Sequence, residues 1–153
     1  FLSDIVDRLL DLRMYYDEYR PILLKVSPDL SHEQLDEIID YCLRSGIDGL
    51  VAGNTTRSRD GITSISKEKI EEIGNGGLSG APLHKKNLEL VRYVHAKSEG
   101  KLPIIGVGGI MTPQQAKDML DAGASLVEIY SGFIYEGPGL IKKILKYLEQ
   151  GIK

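Results

Sequence analysis

Four short apolar runs constrain this chain most: ILLKV at 22–26, DGLVAGN at 48–54, LPIIGVG at 102–108 and SLVEIYS at 125–131. Each is too short for a buried helix and long enough for a buried strand. Between them lie segments with a helical period. Leu2, Ile5, Leu9, Leu12 and Tyr16 recur at spacings of three and four, which predicts an amphipathic helix over residues 1–19. Ser31 with Gln34 forms a capping-box signal for a second helix, running to about Ser45, where Gly46 is a natural stop. A third helix is expected from about Leu83 to Ser98. Thr112 with Gln115 starts a fourth, which runs to Asp121 before Gly123, and Gly137-Pro138 opens a last one to about Glu149.

Apolar strands alternating with amphipathic helices predict a parallel sheet with helices outside it and right-handed crossovers. The fold class is α/β, and two architectures offer themselves: a doubly wound sheet or part of a β/α (TIM) barrel. No G-x-G-x-x-G turn follows the first strand, which counts against a dinucleotide fold. Four strand–helix units are half of an eightfold barrel and leave two open sheet edges. The expectation is that the chain lacks an N-terminal half or pairs with something. A first residue of Phe1 rather than Met also suggests a fragment or a processed chain.

Composition narrows the function. With 153 residues, 42% of them hydrophobic, the chain can build one core. A net charge of -3 provides no field for nucleic acid, so no nucleic-acid partner is expected. No run of about 18 apolar residues encodes a membrane span, and Phe1-Leu2-Ser3-Asp4 does not read as a secretory leader. Cys42 is the single cysteine, set in a helical pattern as a small buried hydrophobe. His32, His84 and His95 have no metal-ligand spacing, and no acidic cluster suggests a divalent cation, so no metal is expected.

The ends of the strands carry the chemistry that a barrel would use. Lys25 sits among apolar neighbours, where an unpaired charge is costly, and is expected to face inward toward an anionic or electron-rich ligand. Asn54-Thr55-Thr56 places an amide and two hydroxyls at the second strand end, suited to a planar polar ligand. Gly106-Val107-Gly108-Gly109 and Tyr130-Ser131-Gly132 end the third and fourth strands. Glycine turns of this kind, with a helix following, let backbone N–H groups converge on a phosphate. The connection from Thr55 to about Pro82 is long for a strand-to-helix link and ends in Gly76-Gly77-Leu78-Ser79-Gly80, so it reads as a binding loop or lid. Arg57 and Arg59 within it are expected in solvent. Asp48 and Glu128 do not read as strand-end acid–base groups, which argues against a phosphosugar isomerase.

The motifs LLKVSPDL, GNTT, GGLSGAPL, LPIIGVGGI and AGASLVEIYSG, in this order, resemble the C-terminal half of class 2, quinone-dependent dihydroorotate dehydrogenases. The resemblance covers nearly the whole chain from Pro21 onward. It implies that residues 1–153 are the C-terminal half of a single FMN-binding β/α barrel. The complete protein would oxidise dihydroorotate to orotate in pyrimidine (UMP) biosynthesis, with a base removing the C5 proton and hydride passing from C6 to flavin N5. Carried over residue by residue, Lys25 looks like the lysine at the flavin ring, and Asn54 and Thr55 like the binders of the substrate ring. Gly80, Gly108, Gly109, Tyr130 and Ser131 look like the cradle for FMN, chiefly around its phosphate. Gly53 departs from the pattern: the family usually has threonine there, and glycine offers only a backbone contact. The family's catalytic serine and its quinone tunnel lie upstream, so no catalytic residue is expected in this chain. The same resemblance places the complete protein at the cytoplasmic side of a membrane, as a peripheral protein. Other FMN barrels, of dihydropyrimidine dehydrogenase or dihydrouridine synthase type, and a noncatalytic phosphate-binding barrel module are the alternatives.

Overall fold

A computed structural model describes residues 2–60 and 62–151. Strands β1 (Leu23–Val26), β2 (Gly49–Ala52), β3 (Ile104–Val107) and β4 (Leu126–Glu128) form one parallel sheet in the order β1-β2-β3-β4. Sequential order with every pair parallel is the strand arrangement of a barrel, not of a doubly wound sheet. Helices α1 (Leu2–Arg13), α2 (His32–Ser45), α3 (Lys67–Ile73), α4 (His84–Lys97), α5 (Pro113–Asp121), α6 (Ser131–Glu136) and α7 (Gly139–Gln150) complete the described residues.

The register shows why the sheet has two unlike faces. Leu24 pairs with Leu50, Leu50 with Ile104, and Ala52 with Gly106, so these residues share a face. That face packs on the helices, and Leu50, Ala52 and Ile104 are fully buried. Ile39 of α2, Val91 and Val94 of α4, Met119 of α5 and Leu140 of α7 close over it. The opposite face carries Lys25, Val51, Ile105 and Leu126, paired in that order. Among the described residues this face is less covered: Lys25 is exposed and Leu126 stays 63% exposed. A half barrel shows this inner wall to solvent because the strands that would oppose it are not among these residues.

Local signals account for most helix boundaries. Ser31 accepts from the Gln34 amide at 3.3 Å while Gln34 Oε1 accepts from the Ser31 amide at 3.0 Å. Thr112 and Gln115 repeat the device at 3.3 and 3.1 Å. Gly46 closes α2 with a left-handed φ of 81°.

Three boundaries differ from expectation. Helix α1 ends at Arg13 and leaves Tyr16 exposed. The cause is Asp48, which accepts from Arg13 at 2.7 Å, from the Ile22 amide at 2.6 Å and from the Tyr19 hydroxyl. Drawing both Arg13 and Tyr19 to one carboxylate forces the chain to turn between them. Burial would raise the pKa of Asp48, but the Tyr19, Ile22 and Arg13 contacts outweigh it and hold the carboxyl below its ordinary value. Strand β4 stops at Glu128, and α6, a helix not read from the sequence, occupies part of the link to α7. A turn of 3-10 helix at Ala81–Leu83 leads into α4. Cys42 is buried on α2 as expected, and burial pushes its thiol up to about 11.

Ile39 tests the location of the core, being fully buried on α2. Ile39→Ala is expected to cost about 2–5 kcal/mol in urea unfolding, whereas Ile73→Ala on the exposed α3 should change stability by less than about 0.5 kcal/mol. Similar losses at both positions would contradict the packing described.

Candidate active site

The C-terminal ends of the four strands surround a cavity of about 360 Å³. Strand β1 contributes Lys25, and the end of β2 contributes Gly53, Asn54 and Thr55. The end of β3 contributes Val107, Gly108, Gly109 and Ile110, and β4 with its following turn contributes Glu128, Tyr130 and Ser131. The long connection reaches back to add Ser79 and Gly80. All nine residues singled out in the sequence as candidate ligand contacts therefore meet at one cavity. Glu128, which did not read as a site residue, lines it too: one face of β4 points to the inner wall, and alternation puts Glu128 on the same face as Leu126. Lys25 is exposed on that wall rather than enclosed.

The glycines at the rim answer to protein neighbours as well as to open space. A Cβ on Gly109 would lie 2.3 Å from the His84 amide nitrogen, and its φ is +72°. A Cβ on Gly108 would lie 2.2 Å from Asn87 Nδ2, at a φ of +110°. These glycines let α4 abut the end of β3, a requirement the sequence reading assigned only to a phosphate. Gly53, where the family pattern has threonine, is buried, and a Cβ there would meet Leu90 Cδ2 at 2.8 Å and the Val26 carbonyl at 3.1 Å. Gly80 keeps its side open: a Cβ would come only to 3.9 Å from that of Ser131. Among the described residues, the amides of Gly80, Gly108 and Gly109 donate to no other backbone group. They are donors beside a cavity, the chemistry an anionic group requires.

A polar knot positions the Asn54–Thr56 wall, and the sequence reading missed it. Asp29, just past β1, accepts from Thr56 Oγ1 at 2.5 Å, from the Arg57 amide at 2.7 Å and from Lys86 of α4. Lys86 also donates to Thr56 Oγ1 at 3.1 Å. Partial burial pushes the Asp29 carboxyl up, but the Lys86, Thr56 and Arg57 hydrogen bonds prevail and hold it at about 2. Thr56 exchanges backbone hydrogen bonds with Leu78, at 3.2 and 2.7 Å, which bring the two ends of the long connection together. Gly77 lies so close to Thr55 that a Cβ would fall 2.0 Å from Oγ1. Arg59 is half-buried rather than free in solvent: its guanidinium donates to the carbonyls of Thr56, Arg57, Gly74 and Gly76. Asn54 Oδ1 accepts from the Thr55 amide at 2.9 Å, and the Asn54 amide donates to Val26 at 2.8 Å.

Behind the glycine turn, His84 is largely buried, with Nδ1 unpartnered among the described residues and Nε2 3.9 Å from Asp118. Burial lowers its pKa despite Asp118. Among the described residues no group of three or more His, Cys, Asp and Glu is placed to hold a metal ion.

A family profile described as dihydroorotate dehydrogenase matches residues 4–152. The chain belongs to the dihydroorotate dehydrogenase family. It is 47% identical over 152 residues to the dihydroorotate dehydrogenase (quinone) of Christiangramia forsetii, covering 99% of this chain and 43% of that protein. The enzyme of the same name from Edwardsiella ictaluri is 44% identical over 147 residues, covering 96% of this chain and 43% of the relative. Among solved structures, a ligand-free DHODH from Eimeria tenella superposes with a TM-score of 0.86 at 32% identity, covering 96% of this chain and 44% of the other. The chain thus spans less than half the length of the relatives it matches, and four parallel strands are what half of such a barrel would supply.

The Asp29 knot has a pH signature. A carboxyl held at about 2 against an ordinary 3.8 stabilises the fold fully above the ordinary value, and this contribution is lost as pH falls through about 2. The Asp29 side-chain carbon resonance should titrate near 2, and Asp29→Asn should flatten the acid loss of stability between those values. A midpoint at the ordinary value would remove the knot as described.

Proposed function

We propose that these residues are the C-terminal half of one FMN-binding β/α barrel in an enzyme that oxidises dihydroorotate to orotate in pyrimidine biosynthesis and passes the electrons to a quinone. The observation that carries this reading is the meeting of Lys25, Asn54, Thr55 and the rim glycines at one cavity, in a chain of this family.

The residues present fit FMN. The amides of Gly80, Gly108 and Gly109, unpaired among the described residues, with Ser131 and Tyr130 beside them, suit a phosphate. Bound FMN supplies a two-electron acceptor for the hydride that leaves the dihydropyrimidine ring. Lys25 brings an ammonium to the same cavity and favours negative charge on the ring it faces. Asn54 and Thr55 hold the substrate ring through an amide and a hydroxyl, and the Asp29 knot keeps them in place. Gly53 contributes backbone only. The base that takes the substrate proton, and the contact with the quinone, belong to the part of the enzyme outside these residues. No helix among the described residues is long and apolar enough to cross a membrane. Peripheral association with the cytoplasmic side of a membrane is assigned to that same outside part.

The anaerobic visible spectrum of the complete parent protein tests the reading. Dihydroorotate should bleach a flavin band. Lys25→Ala should slow that bleaching by about 10²-fold or more, and residues 1–153 alone should show no steady turnover. A flavin band that dihydroorotate leaves unchanged would remove the substrate, and a protein that takes up no FMN would remove the flavoenzyme.

A further inference from the structure

Asn87 is a fully buried polar side chain in the first turn of α4, on a helix face otherwise buried through Leu90, Val91 and Val94. Its Nδ2 donates to the Val107 carbonyl at 2.6 Å, the last carbonyl of β3. The same carbonyl accepts from the Gly53 amide at 3.1 Å. One oxygen thus ties three elements together at the rim: the end of β2, the end of β3 and α4. The carboxamide is packed against both flanking glycines. A Cβ on Gly108 would lie 2.2 Å from Nδ2, and a Cβ on Gly53 would lie 3.5 Å from Oδ1. Its Oδ1 is buried without a hydrogen-bond partner among the described residues. A buried amide with an orphaned oxygen is costly to stability, so packing alone does not account for it.

The peptide that follows supplies a reason. Val107 O and Gly108 N–H belong to one planar unit and point in opposite directions. Two donors on the carbonyl fix the plane of that unit and polarise it, which strengthens its N–H as a donor. The Gly108 amide donates to no other backbone group among the described residues, and Gly108 lines the cavity.

We propose that Asn87 is a positioning residue for the cofactor: it locks and polarises the Val107–Gly108 peptide and sets the spacing between the Gly53–Thr55 and Gly108–Gly109 walls. This rests on the FMN reading above. Asn87 itself does not line the cavity, so it acts through the peptide it holds.

The test uses the complete parent protein with Asn87→Thr, of similar volume but too short to reach Val107, and Asn87→Val, which has no polar side-chain atom. FMN affinity is read by flavin fluorescence quenching, and thermal stability is read separately on the FMN-free protein. Both variants should raise the FMN dissociation constant at least about tenfold and shift the flavin absorption maxima. Folded variants that lose thermal stability yet bind FMN within about twofold of the unaltered protein would show a purely structural residue and overturn the proposal. Should neither variant fold, the unaltered protein still decides: the Asn87 side-chain amide resonances should move when FMN is added, and resonances that stay put overturn it. An unaltered protein that binds no FMN would instead overturn the flavin reading on which the proposal stands.

Discussion

Every described strand of the sheet runs parallel to its neighbours, and the rest of the structure follows from that constraint. A parallel pair cannot be joined by a tight turn, so each strand must be followed by a crossover long enough to carry a helix. The crossover helices α2, α4 and α5, with α7 after the last strand, bury one sheet face, which is where Leu50, Ala52 and Ile104 lose all exposure. Parallel strands also finish at the same side. Lys25, Asn54, Gly108 and Glu128 are far apart in sequence and become neighbours because each lies at a strand's C-terminal end.

The rim works by close backbone packing more than by open space. Gly109 is tight against His84 and Gly108 against Asn87, so the first turns of α4 press directly on the end of β3. On the other side, Asp29, Thr56, Lys86 and Arg59 spend their hydrogen bonds on the ends of the long connection. Polar side chains that the sequence presents as loop decoration thereby act as fasteners. The groups that line the cavity include Lys25, Asn54, Thr55, Ser131 and the glycines Gly80, Gly108 and Gly109, held from behind by residues that do not line it.

How legible each element was depended on the range of the forces that shape it. The capping boxes at Ser31/Gln34 and Thr112/Gln115 lie within four residues and were readable directly. The four strands were readable from short apolar runs. The early end of α1 was not, because Tyr16 keeps the helical period while Asp48, 35 positions beyond Arg13, dictates the turn. Helix α6 was missed since SGFIYE continues an apolar stretch with no cap signal, and no side chain caps it in the structure. Among site residues, Lys25 and Asn54 stood out because charge and amide interrupt apolar runs. Asp29, Lys86 and Asn87 did not, because each looks ordinary until its partner from another segment arrives.

The sequence by itself determined the alternation of strand and helix, the parallel sheet, and the motifs that mark the dihydroorotate dehydrogenase family. Those follow from periodicity, caps and residue order, all of which are properties of neighbouring positions. Tertiary structure decided the strand order that excludes a doubly wound sheet, the entry of Glu128 into the cavity, and the fastening of the rim by Asp29 and Asn87. These depend on which segments meet. A hydrogen bond from Asn87 to Val107 spans 20 positions, and that of Lys86 to Asp29 spans 57. No local pattern encodes such pairings, because their energy exists only once the sheet has brought the segments together.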